Sequence, residues 1–322
     1  MTDGPAPATA APATVAPATV APATVAPATV EAAPAVPAPA VVVAPPPEPI
    51  DVVVRRILDA GDDAGALKTL ASELGGARGE LLALQLERPA GTPPTPREGE
   101  LIAANHAEWA PPGTKAKVFE RALPVTVSWE AATRADHAGW LSVESITCVA
   151  DPTTPGSPLD GTVPRLKHLH RLTGAISDPQ WRKLYKRVVT LHFRELDEAL
   201  LKRLANTLPR FERLEKITFT ESHVPAQDLA TALVRAAPPK LTGVDLPAWG
   251  VGPRDVEAAV QAISERQVGW TLGLQVRDGK VWVRIGKGGA TLHASGTPDR
   301  ADVARARELL GDKGADAAVH DS

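Results

Sequence analysis

Five segments, starting at Val143, Leu166, Val188, Leu214 and Leu241, carry one apolar signature at spacings of 23, 22, 26 and 27 residues. From each start an apolar side chain returns three places on, usually again two places later, and often at the tenth place. Leu214, Ile217, Phe219 and Val224 set the pattern; Leu241, Val244, Leu246 and Val251 repeat it, and Val188, Leu191 and Phe193 share its first three positions. A period of this length predicts small supersecondary units, none able to bury its apolar face alone, stacked so that neighbours complete the core. It constrains shape and leaves the ligand unnamed.

Each unit reads as strand, turn and return helix. Ser177-Asp178-Pro179 supplies a capping side chain and a proline for a first helical turn. Leu196, Leu200, Leu201 and Leu204, then Leu229, Leu233 and Val234, then Val256, Val260 and Ile263, fall at helical spacing. The 26- and 27-residue units resemble the ribonuclease-inhibitor-like class of leucine-rich repeats. At the turn, where that class carries Asn, this chain has Asp151, Gly174, Leu196, Ser222 and Trp249. The expected fold is α/β: an irregular leucine-rich-repeat solenoid with parallel strands and return helices over residues 111–267.

A helical pattern precedes the repeats. Val53, Val54, Ile57 and Leu58, then Leu67, Leu70 and Leu74, then Leu81, Leu82, Leu84 and Leu86, and finally Leu101 and Ile102 predict four short helices within 50–110. Gly75-Gly76 and the Pro89 to Pro96 stretch break the run. Three stretches of this block, Asp62-Asp63 through Ala71, Arg78-Gly79-Glu80-Leu81-Leu82-Ala83-Leu84-Gln85 and His106-Ala107-Glu108-Trp109, resemble the repeat-companion domain that stands ahead of leucine-rich repeats in large bacterial paralogous families of myxobacterial and planctomycete type. Phe119-Glu120-Arg121 and Val125-Thr126-Val127 resemble the strand leading from such a domain into the repeats. The resemblance implies a small all-helical domain and adds no catalytic role.

At the other end the period changes. Leu272, Leu274 and Val276, the turn Asp278-Gly279, and Val281, Val283 and Ile285 predict a β-hairpin. With a helix from Asp299 to Leu310 it would cap the open sheet edge within 268–322, leaving Gly311 to Ser322 as a frayed tail. Residues 1–49 read as a tether without a core: the first fifty hold 13 Pro and 17 Ala, with APATV in tandem, too little apolar area to offset the entropy of ordering.

Charge excludes little. The first fifty residues take Asp3, Glu31 and Glu48, leaving 35 acidic against 35 basic residues elsewhere. A local excess spans Arg165 to Lys216, with 13 Lys or Arg against 6 Asp or Glu. The single cysteine, Cys148, excludes an internal disulfide and falls at an inward-facing strand position. The beginning of the chain lacks a basic signal region and the aliphatic run Val41 to Ala44 is too short to span a bilayer, so a cytoplasmic, monomeric protein without membrane contact is expected.

Alternation along a strand fixes the candidate site. If the first, fourth and sixth places point inward, the third, fifth and seventh line the concave sheet face. That face then presents His168, His170, Thr190, His192, Arg194, Lys216, Thr218 and Thr220. Leu172 also falls in the seventh-place column. The reading is a non-enzymatic module, with no cofactor, that recognises a protein partner through this face. One alternative is a metal-dependent hydrolase in which His168, His170 and His192 hold Zn²⁺; the other is an anionic-polymer binder, with nucleic acid as partner, using the basic stretch. Gly286-Lys287-Gly288-Gly289 lacks the spacing of a phosphate loop.

Overall fold

The computed structural model describes residues 48–134, 136–161, 163–174, 176–266, 269–277, 279–311 and 319–321. The Ala/Pro-rich tether, apart from residues 48 and 49, lies outside the described residues.

Four helices come first: α1 (Ile50–Ala60), α2 (Ala64–Leu74), α3 (Gly76–Glu87) and α4 (Pro96–Trp109). Their boundaries follow local chemistry. Asp63 caps α2 by accepting from the Gly65 and Ala66 amides, and Gly75 and Gly76 turn the chain at positive φ between α2 and α3. Thr95 and Glu98 form a capping box at α4, with Pro96 in its first turn. Val53, Ile57, Leu67, Leu81, Leu82, Leu101 and Trp109 bury the inner faces of these helices.

The remaining elements build one mixed sheet whose spatial order equals chain order. A hairpin, β1 (Thr114–Glu120) and β2 (Leu123–Trp129), opens it. Strands β3 (Ser145–Cys148), β4 (His168–Leu172), β5 (Thr190–Leu196), β6 (Lys216–Ser222), β7 (Gly243–Pro247) and β8 (Thr271–Val276) follow, each parallel to the one before, beginning from β2. Ile146, Leu169, Leu191, Ile217, Val244 and Leu272 stand side by side across the six strands, all fully buried. Each such side chain contributes on the order of 1.5–3 kcal/mol through area removed from water. A second row stacks Phe193 on Phe219, ring centroids 5.5 Å apart.

From β4 onward the return helices lengthen with the spacing available. The β3–β4 connection carries Pro152, Pro155, Pro158 and Pro164, and no α-helix forms there among the described residues. After β4 comes the seven-residue α5 (Asp178–Leu184), opened by a Ser177–Gln180 capping box. Then α6 (Glu198–Thr207), α7 (Ala226–Ala236) and α8 (Pro253–Arg266) follow β5, β6 and β7. Leu196, expected on the helix face, ends β5 instead, and Asp197 caps α6.

The far end differs from expectation. Strand β8 is both the last parallel strand and the first arm of the hairpin, and β9 (Val281–Gly286) pairs back on it from Val281 opposite Val276. Asp278 of the expected turn lies outside the described residues. A further strand, β10 (Gly289–Ala294), continues antiparallel, with Lys287-Gly288 as the two-residue turn between Gly286 and Gly289. The glycine-rich segment is therefore a hairpin corner. Helix α9 (Arg300–Leu309), capped by Asp299, precedes β11 (Val319–Asp321), which runs parallel to β10, so part of the expected frayed tail is a strand.

The residues that carried the family resemblance tie the helices to the sheet. At the β1–β2 turn, Arg121 and Ala122 both adopt positive φ, the type I′ geometry usually given to Asn-Gly. Gln85 of α3 grips this turn from both sides, donating to the Phe119 carbonyl (2.9 Å) and accepting from the Ala122 amide (2.7 Å). Arg121 donates to the Gly61 carbonyl (2.6 Å). His106 Nε2 accepts from the Ala116 amide at 2.9 Å, and Gly79 lets α3 approach the Ala71 carbonyl too closely for any Cβ. The buried Arg78 guanidinium lies 4.9 Å from the Trp109 ring centroid, and burial lowers its pKa to about 10 despite Glu108 nearby.

Candidate recognition face

Helices α6, α7 and α8 bury Leu200, Leu204, Leu229, Leu233, Val256 and Ile263 against one face of the parallel sheet, in the same cluster as the Leu191 row. The opposite face carries the alternate residues, because successive strand side chains point to opposite sides. The structure brings all eight sequence-derived positions together there: His168 and His170 on β4, Thr190, His192 and Arg194 on β5, and Lys216, Thr218 and Thr220 on β6. Most are half-buried between neighbours, whereas Lys216 and Thr220 are exposed.

Their chemistry is more self-contained than the sequence implies. His168 Nδ1 is hydrogen-bonded to Thr190 Oγ1 at 2.9 Å, and His192 Nε2 to Thr220 Oγ1 at 2.8 Å. The His170 and His192 rings meet edge to face with centroids 6.1 Å apart. Burial holds all three imidazoles below the usual histidine pKa, with neighbouring positive groups, His168 for His170 and His170 for His192, adding to it. Among the described residues no three His, Cys, Asp or Glu side chains are grouped so as to hold a metal ion. The Thr190 and Thr220 hydroxyls each engage one ring nitrogen, of His168 and His192 respectively.

Strand β4 contains a bulge that alternation alone misses. Leu169 pairs with Leu191 but Leu172 pairs with Phe193, so three steps on β4 oppose two on β5, and Arg171 takes φ 59°. The extra residue carries Leu172 into the core, fully buried, and not onto the concave column. It also ends β3 pairing at Thr147, leaving later β3 carbonyls without a β4 partner. Arg194 reaches across β4 to supply one: its Nη2 donates to the Cys148 and Val149 carbonyls at 3.2 and 3.3 Å. Cys148 itself is buried, which pushes its thiol up to about 12.

One positive charge of the face is paired on the sheet itself. Lys216 Nζ lies 2.8 Å from Asp245 Oδ2, a nearly buried carboxylate on β7. Gly273, opposite Asp245 on β8, leaves the room this carboxylate occupies; a Cβ there would strike it. Elsewhere in the basic stretch, Arg165 and Lys167 both bind Glu144 at 3.0 and 2.7 Å, and Arg203 binds Asp178 at 3.0 Å. Of the 13 bases in this stretch, Arg165, Lys167, Lys202, Arg203 and Lys216 stand in ion pairs, two of whose carboxylates, Glu144 and Asp245, come from outside the stretch.

One pairing escaped sequence reasoning. Asp245 falls in the same column as Thr218 but is a paired anion that offsets Lys216. At the carboxyl ends of β6 and β7, Trp249 is 76% exposed beside Glu221 and His223. Its place near the repeat edge is the sequence signal for that exposure. Of the other tryptophans, Trp109, Trp129, Trp140, Trp181 and Trp270 are buried. Among the described residues no helix is long and apolar enough to cross a membrane. No protein-family model matches the chain, and no curated protein sequence matches it.

Proposed function

We propose that this chain is an irregular leucine-rich-repeat solenoid, preceded by a repeat-companion helical block, that acts as a non-enzymatic protein-recognition module through the helix-free face of its parallel sheet. The observation that carries this reading is the register. His168–Thr190–Lys216–Gly243 and His192–Thr218–Asp245 stand as aligned rows on adjacent strands, so polar groups sit on a rigid frame with little ordering cost on binding. The face offers imidazoles, hydroxyls and one internally balanced Lys–Asp pair, a surface suited to hydrogen bonding with a neutral polar partner more than to gripping a polyanion. A hydrolase reading finds no grouped set of three ligand side chains among the described residues.

The test is a blocking substitution at the centre of the face. Thr218→Arg adds bulk without removing a core side chain or a hydrogen bond. A partner captured by the full chain from native lysate, then purified, is expected to bind the variant at least tenfold more weakly while the melting temperature stays within about 2 °C. Unchanged affinity for that partner removes this face as the binding site.

A further inference from the structure

A second concave region lies at the carboxyl ends of the central strands and meets the imidazole face at Thr220. The Trp249 indole stands between two concavities. One, of about 630 Å³, is lined by Thr220, Glu221, His223 and Pro247; the other, of about 300 Å³, by Val276, Arg277 and Arg305. The Trp249 indole is three-quarters exposed, so its large apolar face gains from being covered.

The charge around it is uneven. In the smaller concavity the bases are engaged: Arg277 lies 3.5 Å from Asp302, and Arg305 binds Glu308 at 2.6 Å and the Val251 carbonyl at 2.9 Å. In the larger one, Glu221 is paired in register with Glu195, which sets two carboxylates on adjacent strands about 4.8 Å apart at the backbone. His223 serves Glu195 alone, at 3.0 Å, and the Glu221 side chain has no ion-pair partner among the described residues. An aromatic face next to an unneutralised carboxylate is the pairing that selects a cation, through ring quadrupole and charge together.

We propose that this groove binds a basic, extended peptide segment of a partner protein, with one Lys or Arg side chain seated between the Trp249 ring and Glu221. The concavities on both sides of one indole favour a chain that passes over it and continues, which a small amine would not fill. A groove at the carboxyl ends of parallel strands is also where open α/β sheets gather ligand contacts from successive turns.

The experiment titrates the full chain into a fluorescein-labelled hexa-arginine peptide and follows anisotropy. Saturable binding is expected, weakened roughly tenfold by Trp249→Ala and several-fold by Glu221→Gln, and further weakened as NaCl rises. Both sites are exposed, so the variants keep the fold, which a melting curve verifies. Equal affinity in Trp249→Ala and wild type overturns the proposal, as does an absence of binding at millimolar protein. A hexa-glutamate or hexa-proline peptide that binds as tightly, with the same loss on Trp249→Ala, overturns it too, by assigning the groove to another chemistry.

Discussion

Arg194 shows why a residue's type and column do not settle its role. On sequence it is a cation on a recognition face; in the structure it supplies hydrogen bonds to the Cys148 and Val149 carbonyls, at and just past the end of β3. The bond to Cys148 is part-buried, and losing its donor costs about 1 kcal/mol. Arg194→Ala is therefore expected to lower unfolding stability by roughly that amount in urea titrations, whereas Thr218→Arg is not, and a binding loss in Arg194→Ala cannot be read as a lost contact to a partner. Gln85 makes the same point at the helix–sheet joint. With Arg121 and Ala122 held at φ 52° and 57°, the turn depends on the Gln85 amide for two hydrogen bonds, and Gln85→Ala is expected to cost about 1–3 kcal/mol by the same measurement. Neither role follows from spacing, since each joins residues more than thirty positions apart.

At the scale of elements the apolar period was the legible part. Leu191, Ile217 and Val244 lie side by side in parallel strands, as the recurrence of their positions requires, because only in-register stacking hides all three from water. Ile217→Ala, at the middle of that row, is expected to destabilise by about 2–5 kcal/mol through lost burial and a residual cavity, with the denaturation midpoint falling in proportion. Less legible were elements whose signal is short or interrupted. Strand β10 spans only Gly289–Ala294 behind a glycine turn, and β11 only three residues; what makes them strands is an available edge, which local sequence does not record. The bulge at Arg171 was hidden for another reason: a single inserted residue shifts the alternation, so Leu172, placed on the open face by counting, is buried.

At the scale of the whole molecule, buried imidazoles couple folding to pH. His137, His168, His170 and His192 are all held below the ordinary histidine value, burial being the largest cause for each. Below about pH 6.5, where free histidine titrates, the unfolded chain takes up protons that the folded chain resists. Their contribution is thus complete above that pH and is lost as pH falls. The melting temperature is expected to drop between about pH 7.5 and pH 5, and a His168→Gln/His170→Gln/His192→Gln variant should show a shallower drop; equal slopes would assign the pH dependence to other groups.

The order of helices before strands, the stacking of the central units and the membership of the imidazole face were all written in side-chain periodicity, because local alternation and the need to bury apolar rows act on neighbours in sequence. Charge compensation was not: Lys216 meets Asp245, and Arg165 and Lys167 meet Glu144, across strands whose contact exists only after folding. The same holds for the groove at Trp249, which takes one wall from β6 and its turn and the other from the turn after β7. Sequence fixes which side chains a strand can show; which charges remain free, and what stands beside an exposed ring, is decided by distances that the tertiary fold alone sets.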